Sequence, residues 1–129
     1  MLFASIDIGS NAGRLLFANA TLEEGKSKVE KVELIRVPLR LGEGVFKEGI
    51  INADKAKELI TTIQAFKLLI EVYKPVDFVA AATAAMREAS NGKELVKKIK
   101  KATGIELKII DGLKEAELIR SSNDYDIHT

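Results

Sequence analysis

At 129 residues, with 47% hydrophobic and 30% charged side chains, the chain has the composition of one ordinary globular domain that buries roughly two-thirds of its unfolded surface. The absence of cysteine excludes a disulfide framework and a thiolate zinc site, and a single histidine, His128 in a polar tail, leaves a carboxylate as the available general base. The net charge of +1 gives no global field favouring nucleic acid, no apolar run approaches the ~20 residues of a membrane span, and Met1-Leu2-Phe3 enters the first strand without a basic leader, so the chain reads as cytoplasmic.

Residues 2–8 form a uniformly apolar run interrupted by one acid, Asp7, and read as a central strand buried on both sides. An acid at the end of such a strand is costly to bury without a cation, a metal or hydrogen-bond donors, which marks Asp7 for chemistry. Gly9-Ser10-Asn11 follows, a turn whose Gly and Asn tolerate positive φ and whose amides and polar side chains suit an oxyanion. The stretch from Ala4 to Asn11 also fits a plain hairpin with a salt-bridged acid. A second strand resumes over residues 14–20, Glu23-Glu24-Gly25-Lys26-Ser27 reads as a hairpin connection, and residues 29–37 read as an edge strand ended by Pro38.

Three glycines between Leu39 and Gly49 predict a loop, either a substrate loop or a connection. A helix begins at Asn52, its N-cap, with Ala56, Leu59, Ile60, Ile63, Phe66, Ile70 and Tyr73 on one face, and Lys74-Pro75 ends it. Residues 76–82 read as a buried strand, and Thr83 as the N-cap of a short helix through Ala89. Asn91 is placed to cap the next helix, whose apolar stripe is Leu95, Val96, Ile99 and Ala102 and whose C-cap is Gly104. Its lysines Lys93, Lys97, Lys98, Lys100 and Lys101 form a solvated face or a polyanion surface. A strand over 106–110, a helix through Leu113, Ala116, Leu118 and Ile119, and a polar tail over 121–129 complete the chain.

The order predicts an α/β fold: a mixed five-stranded sheet, three antiparallel strands then two parallel ones, with helices on both faces. In such sheets ligands gather beyond the carboxyl ends of the parallel strands. That rule gives Asp7 to Asn11, Thr83 to Arg87 and Asp111 to Glu115 a common address.

Ile6-Asp7-Ile8-Gly9-Ser10-Asn11 with Arg14-Leu15-Leu16 resembles the first phosphate loop of the exopolyphosphatase and guanosine pentaphosphate phosphatase (Ppx/GppA) family, within the actin, sugar-kinase and heat-shock-chaperone ATPase superfamily. Arg40-Leu41-Gly42-Glu43-Gly44 resembles the family's early loop, the stretch from Ala82 to Gly92 its Ala-Thr-Ser-Ala-Leu-Arg-Glu-Ala…Asn motif, and residues 109–119 its Ser-Gly-Glu-Glu-Glu-Ala-Arg-Leu-Ile motif. The resemblance implies an RNase H-like (actin-like ATPase) lobe over residues 1–120 and a hydrolase of phosphoanhydrides, either inorganic polyphosphate or guanosine pentaphosphate. It implies Glu115 as the catalytic carboxylate, Gly9, Ser10, Asn11, Thr83 and Arg87 as phosphate contacts, and Asp7 as the residue organising Mg2+.

Several positions depart from the family pattern. Ala12 lacks a hydroxyl that many members have, Gly13 replaces a larger residue, and Lys114 and Glu117 stand where acids and an arginine are usual. The family's second lobe opens with an Asp-x-Gly-Gly-Gly-Ser loop absent from these residues, so the expectation is an N-terminal lobe, inactive alone, lacking its C-terminal partner lobe and able to pair with a second copy through an apolar face. The alternatives are a non-catalytic nucleotide- or polyphosphate-binding or assembly module, and a kinase lobe of the same superfamily acting on a sugar or acetate.

Overall fold

Two hairpins begin the chain in the computed structural model, which describes residues 1–111. Strands β1 (Leu2–Ile8), β2 (Gly13–Glu23) and β3 (Lys26–Val37) run antiparallel. The β2–β3 turn places Glu24 at φ 51° and Gly25 at φ 77°, the double left-handed conformation that matches the twist of a tight hairpin. Helices α1 (Leu41–Glu48) and α2 (Ala53–Tyr73) lead to β4 (Asp77–Ala82), and α3 (Ala84–Glu88) and α4 (Gly92–Thr103) lead to β5 (Lys108–Ile109). The sheet order is β3-β2-β1-β4-β5, with β4 parallel to both β1 and β5. This is the mixed five-stranded sheet the sequence predicts.

The core lies on one face of that sheet. Ile6 pairs across the strands with Leu15 and Ala80, and these residues, with Ile8, Phe17 and Ala82, are buried beneath Leu59, Ile63 and Phe66 of α2 and Leu95 and Ile99 of α4. Phe17 stacks on Tyr73 with ring centroids 4.0 Å apart and planes inclined by 10°, so the end of α2 is fixed against β2. Asn52 caps α2 as predicted, its side-chain oxygen accepting from the Lys55 amide at 2.8 Å. Gly104 closes α4 at φ 79°, the left-handed C-cap that glycine adopts without a Cβ penalty.

Three expectations need correction. β1 is central but is not buried on both sides: Phe3 and Asp7 are exposed and Ser5 is half-buried on the face opposite the core. Ser5 pairs with Leu16 and Val79 on that face, and Val79 is 65% exposed. Among the described residues no helix covers this side; the helix expected from Leu113 onward lies outside them. β4 likewise begins exposed and becomes buried only from Ala80. The glycine-rich stretch from Leu39 is not a loop. It folds into α1 because Leu41 and Val45 bury themselves in the core, and the helix packs so close to the β1–β2 turn that a Cβ at Gly42 would sit 2.9 Å from that of Ser10.

Candidate functional site

β1 and β2 end in register at Ile8 and Gly13, and the Gly9 amide donates to the Ala12 carbonyl at 3.0 Å, which leaves Ser10 and Asn11 as the tip. Neither Gly9 nor Asn11 takes a positive φ, so the turn does not use the conformational freedom that the sequence suggests. Gly9 has room for a Cβ, whose nearest neighbours would be the Ala12 carbonyl oxygen at 3.6 Å and the Thr83 hydroxyl at 3.9 Å. The start of α1 holds the tip from behind. Ser10 and Asn11 carbonyls each accept a backbone hydrogen bond of 2.9 Å, from Gly42 and Arg40 respectively. Ser10 is half-buried and Asn11 exposed. Their carbonyls are thus engaged by protein while their side chains bond to no other described residue.

Arg40 accomplishes this at a conformational cost, with φ 54° and ψ 43° at the N-cap position of α1. Leu39 and Leu41 on either side of it are buried, which pins the backbone in a conformation that non-glycine residues seldom adopt. The sequence carries no local sign of this strain.

Asp7 stands at the carboxyl end of β1 on the open face, exposed, with Arg14 as its cross-strand neighbour. Side chains paired in this way are within reach of each other, which sets one guanidinium across from the carboxylate. Among the described residues no three His, Cys, Asp or Glu side chains gather as a metal cage. A site with one carboxylate nevertheless suits magnesium, which takes one or two protein carboxylates and completes its shell with water and substrate phosphate oxygens.

The Thr83-to-Gly92 stretch fastens three neighbouring segments. The Thr83 amide donates to the Ile8 carbonyl at 3.1 Å, which brings the β4 exit beside the β1 exit. Thr83 occupies the N-cap position of α3, but its side chain makes no capping hydrogen bond; the hydroxyl lies beside Gly9 instead. Arg87 donates from Nη1 to the Ile110 carbonyl at 2.8 Å, and its Nε lies 3.6 Å from Glu88 Oε1. Asn91 occupies the N-cap position of α4 without capping it. Its side chain forms a two-way clamp on Ile51, accepting from the amide at 3.0 Å and donating to the carbonyl at 2.9 Å. At Gly92 a Cβ would lie 2.0 Å from the Met86 carbonyl oxygen, so only glycine fits.

The structure therefore brings Gly9, Ser10, Asn11 and Thr83 together with Asp7 at the end of β1. Arg87 belongs to an adjoining cleft of about 540 Å³ lined by Met86, Ser90, Lys93 and residues 109–111. An apolar hollow on the open face, lined by Phe3, Leu16, Ala18 and Val79, is at the other end of β1 and is no part of this site. Glu115 lies outside the described residues. The Asn91 clamp, the Arg40 strain and the Gly42 contact went unread in the sequence because their partners are distant in it; the cluster of glycines after Leu39 was the one signal of a close approach.

The chain is similar in sequence and in fold to known proteins. Exopolyphosphatase 1 of Mycobacterium tuberculosis is 30% identical over 118 residues, covering 92% of this chain and 33% of its own length. A crystal structure of the Aquifex aeolicus Ppx/GppA family member superposes with a TM-score of 0.79 at 31% identity, covering 89% of this chain and 36% of that one. An exopolyphosphatase from Cytophaga hutchinsonii gives a TM-score of 0.80 at 27% identity, covering 92% and 36% respectively. The chain thus spans about a third of the length of these relatives, and no described helix is long and apolar enough to cross a membrane. With the Ppx/GppA phosphatase family model matching residues 22–122, the chain belongs to that family.

Proposed function

We propose that this chain supplies one half of the active site of a phosphoanhydride hydrolase that releases the terminal phosphate of inorganic polyphosphate or guanosine pentaphosphate. The observation that carries the reading is the β1–β2 tip. Its carbonyls are bound by the start of α1, while the Ser10 and Asn11 side chains and the Thr83 hydroxyl face the same end of the sheet without a described partner. Donors held in place before a substrate arrives need little reorganisation when charge develops on a phosphoryl group.

Hydrolysis requires the terminal phosphoryl to be held and a water aimed in line with the bridging oxygen that leaves. Ser10, Asn11 and Thr83 donate to the phosphoryl oxygens, and the absence of a side chain at Gly9 lets the phosphate approach the turn. Asp7, exposed at this end of β1, would hold magnesium, which when bound neutralises phosphate charge. Arg87 adds positive charge from the adjoining cleft. Glu115 accepts the proton of the attacking water, the role of a carboxylate general base in a chain whose sole histidine is in the tail.

The chain alone, lacking a facing second phosphate loop, is expected to bind tripolyphosphate weakly and to turn it over negligibly. The test is phosphate release with magnesium, measured for this chain and for a longer protein containing it. The longer protein should be active and should lose at least about a thousandfold in kcat on Glu115→Gln. Robust release by residues 1–129 alone, abolished by Glu115→Gln, would overturn the two-lobe reading. Binding without turnover in the longer protein would instead make this a sensing or assembly module.

A further inference from the structure

The lysines of helix α4 are not placed alike. Lys98 lies 3.7 Å from Glu94, one turn earlier, as an ordinary exposed ion pair. Lys100 and Lys101 stand in the last turn, where the negative end of the helix dipole favours cations. Lys93 and Lys97 have neither explanation. Lys93 is the second residue of the helix, beside the positive end of the dipole, where a cation is disfavoured. Lys93, Lys97 and Lys101 follow one another at four-residue spacing and are all exposed, so three like charges run along a single ridge about 12 Å long. None of the three makes an ion pair with another described residue. Like charges at this spacing destabilise a helix, and an anion lying along them relieves the repulsion.

Lys93 also lines the cleft of about 540 Å³ that contains Arg87 and Ser90. That cleft lies at the carboxyl ends of β4 and β5, where the Ile110 amide donates to the Ala82 carbonyl. The Thr83 amide on the Ile8 carbonyl sets the β4 exit beside the β1 exit. Arg87, Lys93, Lys97 and Lys101 therefore continue in one direction from the β1–β2 tip, across the cleft and along the exposed side of α4. The Asp111 carboxylate lines the cleft as well, which leaves it with two cations against one acid. We infer that this row is the track of a linear polyphosphate, whose terminal phosphate sits at the tip while its inner phosphates pass Lys93 and lie along Lys97 and Lys101. The inference rests on the reading of the tip as the terminal-phosphate site, and it selects the linear polymer over guanosine pentaphosphate as the substrate. A row of cations is engaged along its length only by a ligand whose charge repeats along its own. α4 contains no aromatic residue and none of the described residues lining the cleft is aromatic, so a guanosine or RNA base finds no ring to stack on.

The test compares the 129-residue chain with Lys93→Gln/Lys97→Gln and with a control of equal charge, Lys26→Gln/Lys31→Gln, on β3 at the opposite edge of the sheet from β5. Titration calorimetry uses tripolyphosphate, long-chain polyphosphate, guanosine pentaphosphate and polyuridylate at one salt concentration. The wild-type chain should bind long-chain polyphosphate at least about tenfold more tightly than tripolyphosphate, and Lys93→Gln/Lys97→Gln should weaken the long chain at least about fivefold. The same variant should move tripolyphosphate and guanosine pentaphosphate by less than about twofold, as should the control for every ligand. Lys93→Gln/Lys97→Gln should also unfold in urea no earlier than the wild type, because it removes two repelling charges. Equal losses in the two variants would reduce the ridge to net charge and overturn the proposal. So would an unchanged long-chain affinity in Lys93→Gln/Lys97→Gln, a matching loss for guanosine pentaphosphate, polyuridylate bound as tightly as the long chain, or an earlier urea midpoint. If the expected pattern appears but the Ser10 and Asn11 resonances do not respond to either phosphate ligand, the ridge stands as a polyphosphate surface and the terminal-phosphate reading alone fails.

Discussion

The β1–β2 tip and the Thr83-to-Gly92 stretch both look like ligand motifs, yet they are built in opposite ways. The tip is held through its backbone, with the Ser10 and Asn11 carbonyls bound by Gly42 and Arg40, so its side chains are available. The second stretch is held at its start by the Thr83 amide and beyond it by side chains, Arg87 on Ile110 and Asn91 on Ile51, with a glycine at 92 because no Cβ fits. A polar side chain in a motif is therefore informative only after its partners are known. Where side chains bond to backbone, substitution should cost stability; where backbone bonds hold the turn, substitution should cost binding.

Substitutions at four positions would break or sharpen that contrast. The largest effect is expected at Gly92→Ala, whose Cβ meets a backbone oxygen at 2.0 Å; the clash should cost about 3 kcal/mol or more in urea unfolding, and a loss below about 1 kcal/mol would refute the close approach. Next is Asn91→Ala, which leaves the amide and carbonyl of Ile51 without the clamp and should cost about 2 kcal/mol. Asn91→Asp, which keeps the acceptor and loses the donor, should fall between it and the wild type in the same measurement.

At the tip, Asn11→Ala should alter stability by no more than about 0.5 kcal/mol while weakening tripolyphosphate binding at least about tenfold, the loss of one hydrogen bond to a charged group. Isothermal titration reads the affinity, and an unchanged value would remove Asn11 from the site. Last comes Gly9→Ala, where a Cβ has ordinary contacts and φ is not positive, so that no stability is lost. It should unfold at the wild-type midpoint or up to about 1 kcal/mol more stably, yet bind tripolyphosphate more weakly. A variant that is destabilised but binds normally would show Gly9 to be a structural glycine after all.

Much of this was legible locally. The Asn52 cap, the Gly104 left-handed end and the apolar face of α2 each depend on residues within a turn or two of one another, and periodicity records such relations directly. The helix over Leu41–Glu48 was hidden because its glycines lower helix propensity, whereas its formation depends on burying Leu41 and Val45 against distant strands. The open face of β1 was hidden for a related reason: Phe3, Ser5 and Asp7 alternate with Ala4, Ile6 and Ile8, but a phenylalanine on the exposed face makes the alternation read as a continuous apolar run.

For the site, the sequence by itself determined which residues follow the carboxyl ends of strands, and its motifs carried the family resemblance, because both are properties of chain order. Only the tertiary structure decided how those residues are employed. The bonds of Arg87 and Asn91 join residues 23 and 40 positions apart, and the contact of Gly42 with the tip arises when α1 packs beside β1 and β2. No local pattern encodes such pairings, since they exist only once the sheet has brought its strand ends together.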